Sequence, residues 1–293
     1  MKQYSYKKTD AFTSGNSLGN PAACIYLKEN EKLTSEEMLY IAKQHKGFVS
    51  EMVFCEKSDV ADCKLTYYSS ECEVDFCGHG TIACMYELIR SNALLNSKKE
   101  IIIETNKKGN LYVYNEIQRD NAVYITAPEP KYIGTILSRD VIADQLGIKI
   151  SSIPAEKPID LINAGLSTLI VPINNLKCEI NIFPSQKELE GFCINNDIDI
   201  ILIYSTETDN NERFMHTRVF APKFGYLEDP ATGSGNSAFG YYMLKNNMWN
   251  GEIISIEQGG NDRVYNEVKL LCQNDKILFG GSATIRIIGD YYL

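Results

Sequence analysis

Apolar residues recur at helical spacing in several segments of the chain and cluster in short strand-like runs elsewhere. The clearest helix begins near Thr34, where Thr34 and Glu37 form a capping-box pattern, and it stops at Gly47. Two further helices follow glycine-rich turns at residues 77–81 and 229–235. A fourth helix is predicted where Ser138 could be the N-cap, Val141, Ile142 and Leu146 follow at helical spacing, and Gly147 is the stop. The remaining apolar runs are too short for helices, so the pattern predicts an α+β protein.

Strand-like runs fill much of the remaining chain, and their order repeats. They are predicted at residues 3–12, 23–27, 53–54, 63–68, 101–105, 111–114, 122–126, 166–173, 198–204, 216–220, 253–257, 268–272 and 283–288. Strands lead into a glycine turn and a helix twice, which indicates an old duplication. The prolines at 128 and 130 indicate a boundary. We therefore expect two similar domains, residues 1–120 and 121–293, with a cleft between them.

Charge and composition exclude several functional classes. The formal net charge is −9, and the basic residues form no stripe that could follow a phosphate backbone, so we expect no nucleic-acid partner. The N-terminus lacks an apolar segment, and no run approaches the roughly 18 residues of a membrane helix. We expect a soluble, cytoplasmic protein with no membrane partner, whose nine irregularly spaced cysteines are reduced thiols.

The two glycine turns are the strongest chemical signal. A helix N-terminus offers unpaired N–H groups and a partial positive charge, so each turn can hold an anion. A single Gly-x-Gly more often only connects a strand to a helix, but two at matching places favour binding. The first turn carries Cys77 and His79, and the second carries Asp229 and Thr232.

Glu51 is the third candidate, because it lies in an apolar segment, residues 47–54, where a carboxylate is unexpected. It is either a general base or an edge-strand residue that faces solvent. Cys77 at a helix N-terminus is either a reactive thiol or a small buried residue. His45 and His216 are interpreted as structural.

Metal and cofactor signals are weak. A zinc site formed by Cys72, Cys77, His79 and Cys84 lacks the Cys-x₂-Cys pairs of common structural sites, so we expect no metal. The sequence contains no nucleotide-binding fingerprint, P-loop or recognisable Schiff-base lysine, and we expect no organic cofactor.

Six segments together resemble the successive signatures of one family, the phenazine-biosynthesis-like (PhzF-like) proteins. They are Asp10-Ala11-Phe12-Thr13, Gly19-Asn20-Pro21, Ser50-Glu51-Met52-Val53-Phe54, Cys77-Gly78-His79-Gly80-Thr81, Arg218-x-Phe220-x-Pro222 and Glu228-Asp229-Pro230-Ala231-Thr232-Gly233-Ser234. The later Glu257-Gln258-Gly259 and Arg263 resemble a further family segment. The match runs almost end to end.

The resemblance implies a fold, an activity and a set of site residues. The fold is the diaminopimelate-epimerase-like one, in which two similar domains each wrap a barrel-like, mostly antiparallel sheet around a central helix, with the active site between them. The activity is a cofactor-independent isomerisation of a small carboxylate-bearing substrate in a biosynthetic process, with Glu51 as the catalytic proton shuttle, and the protein is a homodimer. The substrate-binding residues would be His79, Asp229, Gly78, Gly80, Thr232, Gly233, Ser234 and Asn20.

Two rival functions remain open. Racemases with this fold use two cysteines, one from each glycine turn, whereas this chain has Cys77 in the first turn and Asp229 in the second. An amino-acid racemase or epimerase that uses Cys77 as a secondary acid/base is one alternative. The other is a non-catalytic scaffold, favoured only by Ser69-Ser70, where the family often has Thr-Pro.

Overall fold

The computed structural model describes residues 2–260 and 264–293, and the chain divides into two compact units. The first comprises Met1–Thr126 with Gly280–Leu293, and the second comprises Ala127–Phe279. In the part of the chain that is described, no helix combines the length and the apolar character needed to cross a membrane.

This division differs from the predicted one, residues 1–120 and 121–293, in two respects. The strand at residues 122–126 pairs with residues 113–116 and so belongs to the first unit. Residues 283–292 return to pair with residues 3–11, because the two segments form one antiparallel ladder. Hydrogen-bonded pairing, which proline punctuation does not reveal, sets the boundary.

The first unit is a mostly antiparallel sheet packed on one central helix. Its elements are β1 (Gln3–Ala11), β2 (Asn20–Tyr26), α1 (Ser35–Gln44), β3 (Glu51–Glu56), β4 (Cys63–Tyr68), β5 (Glu73–Val74), α2 (Gly78–Ser91), α3 (Ala93–Asn96), β6 (Glu100–Thr105), β7 (Gly109–Glu116), α4 (Ile117–Asp120), β8 (Ala122–Thr126) and the last strand, β18 (Ala283–Tyr292). Helix α2 packs against β1, β2, β3, β8 and β18. All its residues from Gly80 to Tyr86 are buried, as expected for a helix enclosed by its sheet.

The second unit has the same architecture. Its elements are β9 (Lys131–Tyr132), α5 (Arg139–Gln145), β10 (Asp160–Asn163), β11 (Ser167–Pro172), α6 (Leu176–Ile180), α7 (Gln186–Asn195), β12 (Ile200–Ser205), β13 (Met215–Phe220), β14 (Glu228–Asp229), α8 (Gly233–Lys245), β15 (Ile254–Gln258), β16 (Asn266–Gln273) and β17 (Lys276–Gly281). Helix α8 is buried from Gly235 to Met243 and packs against β10, β11, β12 and β16.

Strand pairing shows that the two units are duplicates. In the first unit β2 is parallel to β3, β3 antiparallel to β4, β4 parallel to β6, and β6 antiparallel to β7. In the second unit β11, β12, β13, β15 and β16 repeat these four steps in the same order. The predicted α+β class with two similar domains is confirmed.

Helix α1 begins where the sequence predicts. The hydroxyl of Thr34 accepts a hydrogen bond from the N–H of Glu37, and the carboxylate of Glu37 accepts one from the N–H of Thr34, which completes the capping box. Gly47 then adopts a φ of +80°, which a glycine reaches without steric cost. This short connection makes Glu51 the first residue of β3.

Helices α3, α4, α6 and α7 were not predicted. The buried positions of α7 are Leu189, Phe192 and Cys193, a narrow stripe on a largely polar segment. The fourth apolar residue, Ile194, is exposed, so the ten residues give only a weak helical period, which explains why the helix was not predicted.

A buried arginine fixes the turn between β13 and β14. Arg218 is fully buried and donates from Nε and Nη2 to the two carboxylate oxygens of Glu228, at 3.0 and 2.8 Å. Its Nη1 donates to the backbone oxygens of Glu179 and Ile182, at 2.7 Å each. Because Glu228 directly precedes Asp229, this ion pair also positions Asp229.

A second ionisable pair lies in the core of the same unit. Nδ1 of His216 is 3.2 Å from Oε1 of Glu179, and both side chains are fully buried. Burial raises the pKa of Glu179, while the neighbouring His216, Ser205 and Arg218 oppose this rise.

Glu179→Gln is expected to change how stability depends on pH. Because the folded pKa of Glu179 lies above 4.5, the unfolded chain loses this proton first, and the wild-type free energy of unfolding falls between these two pKa values. The variant lacks this fall, so its free energy of unfolding relative to wild type should rise with pH, by at most about 1.4 kcal/mol per pH unit. Urea unfolding at several pH values measures the effect. A difference that stays constant with pH would contradict it, and the exposed Glu156→Gln is the control.

Candidate active site

Glu51 occupies the first position of an interior strand. Strand β3 is hydrogen-bonded to both β2 and β4, so Glu51 is not an edge-strand residue. Its side chain is 23% exposed. Oε2 itself is buried, and no residue in the described ranges makes a hydrogen bond to it. A partly buried carboxylate with an open acceptor position is a suitable group for receiving a proton.

His79 is the nearest charged partner of Glu51. Its Nε2 lies 3.0 Å from Oε2 of Glu51, and the two groups form an ion pair when the imidazole is protonated. The His79 side chain is 14% exposed. It is therefore shielded from water yet accessible to a small ligand.

Cys77 is the N-cap of α2 and completes the cluster. Its Sγ accepts a hydrogen bond from the N–H of Gly80 at 3.2 Å and lies 3.5 Å from Nδ1 of His79. A Cβ at Gly80 would lie 2.9 Å from a methyl carbon of Val53 and 3.0 Å from Sγ of Cys77. Glycine at position 80 thus allows the start of α2 to approach β3, which brings His79 to Glu51.

The protonation states within this cluster follow from burial and charge. Burial raises the pKa of the Cys77 thiol above its ordinary value, although His79 opposes the shift. Burial alone would lower the pKa of His79, but Cys77 and Glu51 raise it well above its ordinary value. Because a thiol with a raised pKa is neutral near pH 7, the Glu51 carboxylate is the charge that stabilises the imidazolium.

Three other predicted site residues, Asn20, Gly78 and Gly80, belong to β2 and α2, the elements next to this cluster. Asn20 is buried and begins β2 two residues before Ala22, the register partner of Glu51. Residues two apart in a strand share a face, so Asn20 lies on the same face of the sheet as Ala22. Gly78 is the first residue of α2.

The second glycine turn is held by a network of side chains in its own unit. The hydroxyl of Thr232 donates to the carboxylate of Asp229. Gln258 donates from Nε2 to the backbone oxygen of Asp229 at 2.9 Å and accepts from the N–H of Thr232 at 3.0 Å. Asn236 donates to Gln258 at 2.7 Å. Gln258 and Asn236, both fully buried, therefore fix the turn and were not among the predicted site residues.

Gly233 and Ser234 open helix α8. A Cβ at Gly233 would lie 2.4 Å from the ring of Phe279, so only glycine fits there. The resemblance included Glu257-Gln258-Gly259, which was the one available signal for Gln258. Arg263, from the same segment, lies outside the described residues.

The duplicated units assign a counterpart to each site residue. Thr232 is the N-cap of α8 with φ −122° and ψ 110°, and Cys77 is the N-cap of α2 with φ −130° and ψ 111°. Asp229 in β14 is the register partner of a residue in β13, and Val74 in β5 is the register partner of the equivalent residue in β4, so Asp229 is the counterpart of Val74. The expected comparison of Cys77 with Asp229 is therefore corrected: the counterpart of Cys77 is Thr232.

The same pairing of counterparts shows that the two turns carry different functional groups. Ser234 is the counterpart of His79, since each is the second residue of its helix. Ile200, the first residue of β12, is the counterpart of Glu51. The acid, the imidazole and the thiol are all in the first unit, and a hydroxyl replaces two of them in the second.

Of the four residues considered for zinc, Cys77 and His79 lie close together. Within residues 2–260 and 264–293, the candidate ligand atoms that lie within 4.8 Å of one another in a group of three belong to Glu51, Cys77 and His79. Cys72 is exposed and Cys84 is buried inside α2. His45 is also separate: its ring stacks on Tyr6 with centroids 5.5 Å apart.

Two similar units that each enclose a helix define a protein of the epimerase-like fold class, and a carboxylate, an imidazole and a thiol meet at the start of α2. Residues 9–287 match the sequence model of the phenazine biosynthesis-like protein family (PhzC-PhzF). The chain belongs to this family.

Individual relatives agree with this assignment. An uncharacterized isomerase, YfhB, from Bacillus subtilis is 30% identical over 88% of this chain and 87% of its own length. The trans-2,3-dihydro-3-hydroxyanthranilate isomerase of Pseudomonas chlororaphis is 24% identical over 87% of this chain and 85% of its own. The crystal structure of a PhzF-family protein from Bacillus anthracis covers 100% of both chains, with 26% identity and a TM-score of 0.86.

Proposed function

We propose that this isomerase moves a proton between carbons of a small carboxylate-bearing substrate, without a cofactor, with Glu51 as the acid/base. The open, buried Oε2 of Glu51, 3.0 Å from Nε2 of His79, is the observation that carries the proposal. Glu51 removes a proton from a carbon made acidic by a neighbouring double bond or carbonyl, and the same carboxyl group returns it to another carbon.

Groups of both units are proposed to bind the substrate and balance its charge. The first N–H groups of a helix have no acceptor within the helix, so the starts of α2 and α8 suit a carboxylate. His79, as an imidazolium, stabilises negative charge that develops on the substrate. Asp229, held by Thr232 and Gln258, offers an acceptor for a hydroxyl or amino group.

The name of one relative supports a substrate class. The Pseudomonas chlororaphis relative is named for a dihydro-hydroxyanthranilate, a cyclic unsaturated amino carboxylate. Such a ring has a proton on a carbon beside a double bond, as the proposed chemistry of Glu51 requires. We therefore expect cyclic unsaturated carboxylates to be better substrates than open-chain amino acids.

The racemase alternative has less support. A two-base racemase needs a second base at the counterpart of Cys77, and Thr232 supplies only a hydroxyl. Burial also raises the pKa of Cys77, which disfavours the reactive thiolate.

Deuterium exchange separates these functions. The wild type is incubated in deuterated water with trans-2,3-dihydro-3-hydroxyanthranilate, other cyclic unsaturated carboxylates and a set of amino and hydroxy acids, and NMR follows label on carbon. We expect label in a cyclic substrate, with exchange lost in Glu51→Gln and retained in Cys77→Ser. Label that enters only the α-carbon of amino acids, and disappears in Cys77→Ser, would establish the racemase instead.

A further inference from the structure

Three different metal-ligand types meet at the start of α2. We propose that Glu51, Cys77 and His79 form a binding site for a soft or borderline divalent cation such as Zn²⁺, which occupies the site reversibly and blocks the acid/base. The binding itself stands on the geometry of the three side chains, whereas the block of activity rests on the function proposed for Glu51. The ion is thus a regulator of the site and not a cofactor of the reaction.

The spacing of the ligand atoms suits one tetrahedral ion. Ligand atoms about 2.0–2.3 Å from a tetrahedral zinc ion lie about 3.3–3.7 Å from one another. Nε2 of His79 is 3.9 Å from Sγ of Cys77 and 3.0 Å from Oε2 of Glu51, so the two measured spacings bracket this range. Each of the three residues has a ligand atom within 4.8 Å of a ligand atom of the other two. Because Sγ of Cys77 lies nearer to Nδ1 of His79, at 3.5 Å, than to Nε2, the ring must rotate about its side-chain bonds before Nε2 and Sγ share one ion.

The side chains of Glu51 and Cys77 each have an atom that can bind a metal ion. Oε2 of Glu51 is buried without a hydrogen-bond partner in the described chain and points into the cluster. Sγ of Cys77 accepts a hydrogen bond from the N–H of Gly80, which orients the sulfur at the start of α2. On binding, the proton of the Cys77 thiol and one proton of the His79 imidazolium are released to solvent, and the carboxylate binds as it is.

The mixture of sulfur, nitrogen and oxygen selects the type of ion. Mg²⁺ and Ca²⁺ prefer sites made only of oxygen, whereas zinc accepts thiolate, imidazole and carboxylate together. Three protein ligands leave a fourth position for water. With its Oε2 bound to the ion, Glu51 can no longer accept a proton from a carbon.

Cobalt titration tests the binding directly. Co²⁺ is added to the wild type, and absorption is followed in the near ultraviolet, where a thiolate bound to cobalt gives a charge-transfer band. We expect one ion per chain, displaced by Zn²⁺. The band should be absent in Cys77→Ser, and Zn²⁺ affinity should fall at least about tenfold in both Cys77→Ser and Glu51→Gln. Serine is a preferred N-cap, so Cys77→Ser retains the start of α2.

Cys72→Ser is the matched control, because Cys72 is exposed and lies outside the cluster. It should keep the band and the wild-type affinity. Absence of the band in the wild type, its survival in Cys77→Ser, or its loss in Cys72→Ser would overturn the site.

The binding and the catalytic proposals fail separately. If cobalt binds as expected while no substrate takes up deuterium, the metal site holds and the proposed function is wrong. If deuterium exchange occurs but Zn²⁺ neither binds nor inhibits it, the function holds and the metal site is wrong. If Zn²⁺ inhibits deuterium exchange by the wild type and a chelator restores it, both the metal site and the catalytic role of Glu51 are supported.

Discussion

Glu51→Gln is expected to lower the rate of proton exchange by about 10²- to 10⁴-fold, the usual contribution of one well-placed acid/base. Glutamine has nearly the same shape as glutamate but cannot accept a proton from carbon. The side chain lies at the first position of an interior strand, so the change leaves the strand pairing intact. The loss should appear in kcat, because the groups proposed to bind the substrate remain. Steady-state kinetics and deuterium wash-in with the same substrate measure it.

Glu156→Gln, an exposed substitution of the same type, should keep wild-type activity. Circular dichroism of the Glu51 variant should match the wild type, and its thermal unfolding should remain cooperative. A Glu51→Gln enzyme that exchanges protons within tenfold of the wild-type rate would remove Glu51 from the mechanism.

Arg218→Met should have the largest effect on stability, with a loss of about 3–5 kcal/mol, as found when one partner of a buried ion pair is removed. Methionine fills similar space but leaves the Glu228 carboxylate and the backbone oxygens of Glu179 and Ile182 without their donors. Urea unfolding followed by circular dichroism measures the loss.

Lys223→Met is the control for this variant. Lys223 forms an ion pair with Asp199 in the same unit, but its side chain is 28% exposed. Pairs near the surface contribute about 0–1 kcal/mol, so this change should have little effect. Equal losses in the two variants would show that the burial of Arg218 is not what makes its ion pair stabilising.

The sequence predicts elements well where local signals agree with tertiary structure. Helix α1 has a capping box and an apolar stripe, and it begins one residue after the predicted cap, Thr34. The strand at residues 63–68 and the strand at residues 122–126 have the predicted bounds. Helix α7 was missed because its apolar stripe is narrow. The pairing of β1 with β18 was missed because no local pattern encodes a ladder between distant segments.

The candidate site also has a part that the sequence predicts and a part that depends on tertiary contacts. Cys77 and His79 are adjacent in one motif, and the glycine turn made them visible in the sequence. Their approach to Glu51 depends on the close packing of Gly80 against Val53, which is a tertiary contact. The support of Asp229 by Gln258 likewise joins two segments through a buried amide. The comparison of Cys77 with Asp229 failed because only strand pairing and helix caps show which residues are counterparts.

The ladder between residues 3–11 and 283–292 also orders events during synthesis. Residues 127–279 form a continuous unit, which can complete its hydrogen bonds once that stretch has left the ribosome. The unit that contains residues 3–126 cannot, since β1 pairs with β2 on one side but lacks its other neighbour, β18, until residues 283–292 have been made. Contacts between such distant positions form slowly. The half of the protein that carries Glu51, although made first, is therefore the half that matures last.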